Sequence, residues 1–255
     1  MGILNATPDS FSDGGQFFDA EAAISHARTM ITEGADLLDV GAESTRPYGG
    51  AVTVSADDEW ARLVSILRGV VALGVPVSID TTKASVATKA LAAGATIVND
   101  VWGLQRDPEM ARVVADHGAG LVIMHNRHAP DPDIDIMADI EEFFRRSLDL
   151  ADRAGIARDR IVLDPGIGFG KTPEQSIAVL GNLERLSLFG LPLLVGASRK
   201  RFIASVSPSE PQERLGGSIA ASVLAALSGA AIVRVHDVGP TVQALRVTKA
   251  ILGAR

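Results

Sequence analysis

The sequence predicts a (β/α)8 barrel built as one domain over residues 1–255, on three observations. Eight short apolar runs of β-type composition alternate with longer amphipathic ones, and no shift of composition divides the chain. The length of 255 residues is typical of such a barrel. Nearly every apolar run ends on or near an ionisable or amide side chain, as expected where parallel strands deliver chemistry to one rim. A doubly wound open sheet is the alternative that the same alternation allows.

The strand candidates, in order, are Ile3–Asn5, Leu37–Val40, Val75–Asp80, Ile97–Asp100, Leu121–His125, Ile161–Asp164, Leu193–Ala197 and Ile232–Val235. Helical periodicity is expected over Ala20–Glu33, Ala56–Ala72, Thr82–Ala93, Pro108–His117, Ala138–Ala154, Pro173–Leu183, Arg214–Leu227 and Pro240–Leu252. Glycines 34, 94, 118 and 155 follow four of these helices and suit left-handed caps. Two connections are longer than the fold requires. Residues 6–18, rich in Gly, Ser and Asp, follow the first strand, and residues 41–55 follow the second. Both read as binding loops.

Composition narrows the function. Hydrophobic residues make up 47% of the chain but aromatics only 4%, so the core is built from Ala, Val, Leu and Ile. A net charge of −7 and a pI near 5.2 argue against binding to nucleic acid or to an anionic membrane. There is no cysteine, which removes disulfides and thiolate metal sites. Residues 215–233 are uncharged, but Ser228-Gly229 breaks the run and its composition is poor in Leu and Phe. It reads as a helix followed by a strand rather than a membrane span. The start lacks the regions of a signal peptide, so a cytoplasmic location is expected.

The most informative stretch is Ile161-Val-Leu-Asp164-Pro-Gly-Ile-Gly-Phe-Gly-Lys171. A strand buried on both faces delivers Asp164 and then dissolves into Pro165 and the glycines at 166, 168 and 170. Gly170-Lys171-Thr172 imitates the end of a nucleotide phosphate loop. The glycine that loop needs five residues before Gly170 is Pro165, which has no N–H to offer, so that reading fails. Asp131, Asp133, Asp135 and Glu142 stand at calcium-loop spacing, but Ile136 replaces the central glycine. They read as a solvated acidic loop.

In a barrel the strand ends converge. They would bring together Asn5, Asp39 with Glu43 beyond it, Asp80, Asn99, Asp100, Met124, His125, Asp164, Ser198, Lys200, Arg234 and His236. Asp39 and Asp100 can be explained as helix caps and His125 as a hydrogen-bonded core histidine; His26 and His117 read as structural. The remainder divides into two subsites. Asp80, Asn99 and Asp164 present acceptors to a flat heterocycle with an N–H and amino edge. Arg46, Arg234 and His236 present donors to phosphate oxygens, and Asn5 can help hold a Mg²⁺ bridging a diphosphate.

Seven segments in order resemble dihydropteroate synthases: Met1-Gly-Ile-Leu-Asn-Ala-Thr-Pro-Asp-Ser-Phe-Ser-Asp-Gly-Gly15, Glu43-Ser-Thr-Arg-Pro47, Ser78-Ile-Asp-Thr81, Asn99-Asp-Val-Trp-Gly103, Asp164 to Lys171, Ser198-Arg-Lys200 and Arg234-Val-His236. The resemblance implies condensation of 6-hydroxymethyl-7,8-dihydropterin pyrophosphate with p-aminobenzoate, releasing pyrophosphate, in an often dimeric, Mg²⁺-using barrel that sulfonamides target. It implies that Asp80, Asn99, Asp164 and Lys200 hold the pterin edge while Met124 and Arg234 pack on its ring. Asn5 would go with Mg²⁺ and the diphosphate, and Arg234 and His236 with the diphosphate. Pro47, Phe169, Ser198 and Lys200 would line the p-aminobenzoate pocket. Phe11, Ser12 and Asp13 on the first loop, with Thr45 and Arg46 on the second, would close over the mouth. The implied chemistry is loss of diphosphate to leave a ring-stabilised cation, which the arylamine then captures. Ser198 is not expected to act as a nucleophile, because no base stands at a suitable spacing. Arg234→Ala is expected to damage turnover more than fold.

The chain departs from the family pattern in three places. Met1 abuts the first strand without the usual lead-in, so the barrel floor is expected to be less covered. Gly41-Ala-Glu-Ser stands for the commoner Gly-Gly-Glu-Ser, and Asn126-Arg-His-Ala-Pro-Asp follows Met124-His125. The alternative functions are a pterin-binding methyltransferase, which has no need of the Thr45-Arg46-Pro47 loop or the Arg234/His236 pair, and a non-catalytic pterin-binding barrel, which only turnover distinguishes.

Overall fold

The computed structural model describes residues 1–6, 16–43 and 54–254. Its strands are β1 (Gly2–Asn5), β2 (Leu38–Gly41), β3 (Val77–Asp80), β4 (Ile97–Asp100), β5 (Gly120–Met124), β6 (Ile161–Asp164), β7 (Leu193–Val195) and β8 (Ala230–Val233). All neighbours pair in parallel, in sequence order. The circle closes between β8 and β1. The Ile3 N–H donates to the Val235 carbonyl and the Val235 N–H to the Met1 carbonyl, each at 3.0 Å, around a parallel bridge between Gly2 and Val235. The barrel expected from the sequence is therefore the observed one, and the open sheet is excluded.

The helices between the strands are α1 (Gln16–Thr32), α2 (Ala56–Val71), α3 (Ala84–Ala92), α4 (Met110–His117), α5 (Ile136–Ala154), α6 (Pro173–Leu180), α7 (Arg201–Val206), α8 (Leu215–Leu227) and α9 (Val238–Gly253). Glycines 118 and 155 cap α4 and α5 at φ of 58° and 80°, as their positions in the sequence suggest. In the acidic loop before α5 the last aspartate has a structural task. Asp135 caps the helix, accepting from the Met137 and Ala138 N–H groups at 3.0 and 3.1 Å. The helix α7 was not foreseen, because six residues make less than two turns and leave no periodicity to read. The run expected to break at Ser228-Gly229 does so, as α8 followed by β8. No helix among the described residues is long and apolar enough to cross a membrane.

Strand register sorts the side chains. Residues two apart share a face, and the barrel interior takes Met1, Leu37, Ile97, Val122, Val162, Leu194 and Ile232 into one small apolar cluster at its lower end. The outward residues, among them Leu4, Leu38, Val40, Ile79, Val98, Leu121, Ile123, Ile161 and Leu163, are buried against the helix ring in the main core. Two positions above the lower cluster, the inward places fall to Asp39, Asn99, Met124, Asp164, Gly196 and Arg234. An apolar floor thus gives way to polar groups within four-residue strands.

Candidate active site

The upper tier of the barrel interior holds the chemistry. A narrow cavity is lined there by Asp80, Asn99, Val101, Met124, Asp164, Gly166, Ile167, Phe169, Gly196, Lys200 and Arg234. Six residues predicted from the sequence to hold the pterin edge or pack on its ring (Asp80, Asn99, Met124, Asp164, Lys200 and Arg234) are brought together by it, with Phe169 beside them. Glycine makes room at two of the inward positions. A Cβ on Gly41 would stand 3.3 Å from the Asp80 Cβ, and one on Gly196 would stand 3.9 Å from the Arg234 Cβ. Val101, Met124 and Phe169 form an apolar wall, suited to the faces of a flat ring.

The acidic groups are not balanced as the sequence suggests. Arg234, assigned there to the diphosphate subsite, turns into the acidic half. Its Nε donates to Asp39 Oδ2 at 2.6 Å and its Nη2 to Asp80 Oδ2 at 3.1 Å. Asp39 is no helix cap. It is fully buried inside the barrel and also accepts from Asn99 Nδ2 at 3.2 Å. The register could have revealed this, because Asp39 lies two residues beyond Leu37 on the inward face of β2. The clean separation into an acidic and a basic half is corrected accordingly. Arg234→Ala would also expose the fold to an unpaired buried carboxylate.

Acceptor atoms remain unanswered. Asp80 Oδ1, Asn99 Oδ1 and Asp39 Oδ1 are buried without a hydrogen-bond partner among the described residues. Buried acceptors of this kind need donors, and a ligand's N–H and amino groups would supply them. Asp164 is held by the loop that follows it: the Gly166 N–H donates to its Oδ1 at 2.7 Å. Burial, with Asp39 alongside, pushes the Asp80 carboxyl up to about 7. Burial likewise pushes Asp164 up to about 6, while the Gly166 N–H, Arg234 and Lys200 pull the other way.

Ser198-Arg199-Lys200 turns sharply after β7. Arg199 takes a φ of 57°, unusual for a side chain other than glycine. Its guanidinium is clamped on Asp237 at 2.6 and 3.0 Å, and its N–H donates to Ser218 Oγ at 2.8 Å. Sequence reasoning missed this anchor. The Lys200 ammonium lies 4.1 Å from the centroid of the Phe169 ring. Ser198 Oγ lies 3.0 Å from His236 Nδ1 and accepts from the His236 main-chain N–H at 3.3 Å. Burial and the nearby Arg199, Arg234 and Lys200 lower His236 to about 3.

Asp100 does cap: its two oxygens accept from the Trp102 and Leu104 N–H groups at 2.9 and 2.7 Å. His125 is the hydrogen-bonded core histidine considered from the sequence, with Nε2 at 2.9 Å from Asp139 Oδ2. Asn5 ends β1, half-buried at the mouth. Phe11, Ser12, Asp13, Thr45, Arg46 and Pro47 lie outside the described residues. Glu43, at the edge of the second loop, accepts from the Val54 N–H at 3.1 Å and from Lys83 Nζ at 2.5 Å, and Lys83 also bonds the fully buried Glu59 at 2.6 Å.

The model of the family described as pterin binding enzyme matches residues 1–236. A dihydropteroate synthase of Bacillus subtilis is 46% identical over 253 residues, spanning 99% of this chain and 88% of that protein. A dihydropteroate synthase structure from Clostridium difficile, solved in the presence of pteroic acid, superposes with a TM-score of 0.94 at 49% identity, covering 98% of this chain and 95% of that one. One from Xanthomonas albilineans, solved with 4-aminobenzoic acid, also gives 0.94, at 44% identity, covering 99% and 92%. The inward tier of acceptors thus belongs to a chain matched from end to end by such enzymes, and the chain is a member of the dihydropteroate synthase family of pterin-binding enzymes.

Proposed function

We propose that this chain is a transferase that joins 6-hydroxymethyl-7,8-dihydropterin pyrophosphate to p-aminobenzoate, forming 7,8-dihydropteroate and pyrophosphate for folate biosynthesis. The observation that carries the residue assignment is the set of unanswered acceptors, Asp80 Oδ1 and Asn99 Oδ1, in one cavity with Asp164 and Lys200. They match a pterin edge that offers several N–H donors.

The roles follow from position. Asp80, Asn99 and Asp164 hold the donor edge, and Met124, Val101 and Phe169 sandwich the ring. The methylene carbon then faces the mouth, where Lys200, Ser198 and His236 offer donors to the diphosphate. The bond from methylene carbon to oxygen breaks with its electron pair leaving on the diphosphate. Positive charge spreads into the ring, and the ionised Asp80 and Asp164 stabilise it. Arg234 sets how much negative charge those carboxylates present, because it already shares Asp39 and Asp80. Phe169 and Lys200, with Pro47, border the arylamine subsite, and the arylamine nitrogen attacks the carbon and loses a proton. Phe11, Ser12, Asp13, Thr45 and Arg46 are assigned to closure over the mouth.

A Mg²⁺ fits the residues in one way. Among the described residues no group of three acidic or imidazole side chains stands together, and the Asn5 amide at the mouth is the side chain that would help hold the ion beside the substrate's diphosphate. When bound it would neutralise charge on the departing diphosphate. A homodimer and a cytoplasmic location complete the reading. The dimer is supported by an apolar face on α8 and α9, where Leu224, Leu227, Val247 and Ile251 are each more than half exposed.

Pyrophosphate release by the purified protein with Mg²⁺, the pterin pyrophosphate and p-aminobenzoate tests the reaction. Release that needs both organic substrates supports the synthase. Pterin binding without release would favour a methyltransferase or a non-catalytic barrel.

A further inference from the structure

Lys171 closes the glycine-rich segment that the sequence singles out, and the reaction as derived above makes no use of it. The residue is 2% exposed. Three acceptors surround its ammonium: His125 Nδ1 at 2.6 Å, the Gly166 carbonyl at 2.9 Å and the Phe169 carbonyl at 3.2 Å. With Nζ donating to the two carbonyls, its contact with Nδ1 fits a donor facing an acceptor, which leaves the His125 proton on Nε2 facing Asp139 Oδ2. Asp139 is held in turn by Arg127 Nη1 at 2.8 Å. A continuous chain of charge-assisted contacts therefore runs from the first turn of α5, through the end of β5, to the loop after β6.

Besides the lysine, that loop is held by the Gly168 N–H donating to Ser176 Oγ at 3.2 Å and the Phe169 N–H donating to the Gly166 carbonyl at 3.0 Å. Gly166, Gly168 and Gly170 all take positive φ, at 66°, 78° and 53°, so the segment has little intrinsic preference for one conformation. It also lies hard against its neighbours. A Cβ on Gly166 would stand 1.9 Å from the His125 carbonyl oxygen, and one on Gly170 2.4 Å from the Arg127 Cβ. Two of the loop's own groups border the cavity. The Gly166 N–H orients Asp164, and Phe169 supplies the ring beneath Lys200. The ammonium bonds the carbonyls of those same two residues.

We propose that Lys171 is a positioning residue: its buried ammonium, held by His125 and Asp139, sets the loop that aims the Asp164 carboxylate and the Phe169 ring at the substrate. This rests on the pterin assignment made above. A structural lysine would only hold α6 to the barrel. A positioning lysine controls affinity in molecules that are fully folded.

The test is calorimetric titration of 6-hydroxymethylpterin into the wild type, Lys171→Met, the double variant Lys171→Met with His125→Leu, and Asp139→Asn, each paired with thermal unfolding. Failure of the wild type to bind would overturn the pterin assignment itself. If it binds, Lys171→Met should bind with a stoichiometry near one but on the order of tenfold more weakly. The double variant removes both partners of the buried contact, so its stability should recover while its affinity stays low. Asp139→Asn, whose side chain is 29% exposed, should fold normally and bind a few-fold more weakly. Wild-type affinity in Asp139→Asn would overturn the proposal, as would a recovery of affinity together with stability in the double variant. So would a loss confined to melting temperature or to the number of binding sites.

Discussion

Arg234 on the strand end of β8 donates to Asp39 on β2 at 2.6 Å, deep in the barrel and 195 residues away in the chain. The same guanidinium reaches Asp80 on β3 at 3.1 Å. One cation thus spans β8, β2 and β3 and balances two carboxylates that would otherwise repel each other. Removing it should cost stability as well as activity. We expect Arg234→Ala to lower unfolding free energy by about 3–5 kcal/mol, because Asp39 would be left charged and buried. In a chain of this size that is a fall of roughly 6–20 °C in melting temperature. Calorimetry would contradict the account if melting were unchanged while turnover was lost.

Asp164→Asn should separate binding from folding. An amide oxygen can still accept from the Gly166 N–H, so melting should hardly change. The pterin edge, however, would meet an NH₂ where it expects an acceptor, at a cost of about 1–3 kcal/mol in affinity. Unaltered binding of 6-hydroxymethylpterin would remove Asp164 from the site.

The buried carboxyls make a pH prediction whose two halves run in opposite directions. Asp80 is raised to about 7 and Asp164 to about 6, chiefly by burial. Their folded forms hold protons more tightly than the unfolded chain does. The stability they contribute is therefore complete below about pH 4 and is lost as pH rises through 6 and 7. Pterin binding uses the ionised carboxylates, so its affinity should rise over that same interval. Titration in buffers of different ionisation enthalpy should detect protons released on binding near pH 6.5. Affinity that falls between pH 5.5 and 8 would refute the assignment.

Lys83 anchors a second buried charge. Glu59 is wholly buried, and Lys83 bonds it at 2.6 Å while also gripping Glu43. Lys83→Met should cost about 3–5 kcal/mol by leaving Glu59 unpaired, and adding Glu59→Leu should restore most of it. Denaturant unfolding of the three variants would check this, and additive losses in the double variant would contradict it.

The barrel was legible in the sequence because the strands are dense apolar runs and the longer helices between them carry a readable period. The site was legible less completely, and for a definite reason. The end of a strand is visible in the sequence, but the face each of its residues occupies depends on the register with its neighbours. Asp100 points outward and caps a turn, whereas Asp39, one pleat lower, faces Arg234 across the interior. Lys171 was set aside with the phosphate-loop imitation to which it belongs, since nothing local shows that a lysine after Gly170 turns inward to His125. The Arg199 turn depends on Asp237, a partner too distant in sequence to suggest itself.

The two glycines at the inward ends of β2 and around β7 have a wider bearing. Gly41 and Gly196 face Asp80 and Arg234 across gaps that a single methyl group would begin to fill. The depth of the recess is thus set by what two positions lack, while the outward residues of the same strands answer only to the surrounding helices. A methyl on Gly41 would crowd Asp80 itself, whereas one on Gly196 would meet Arg234 at ordinary contact distance, so the two places admit change on different terms.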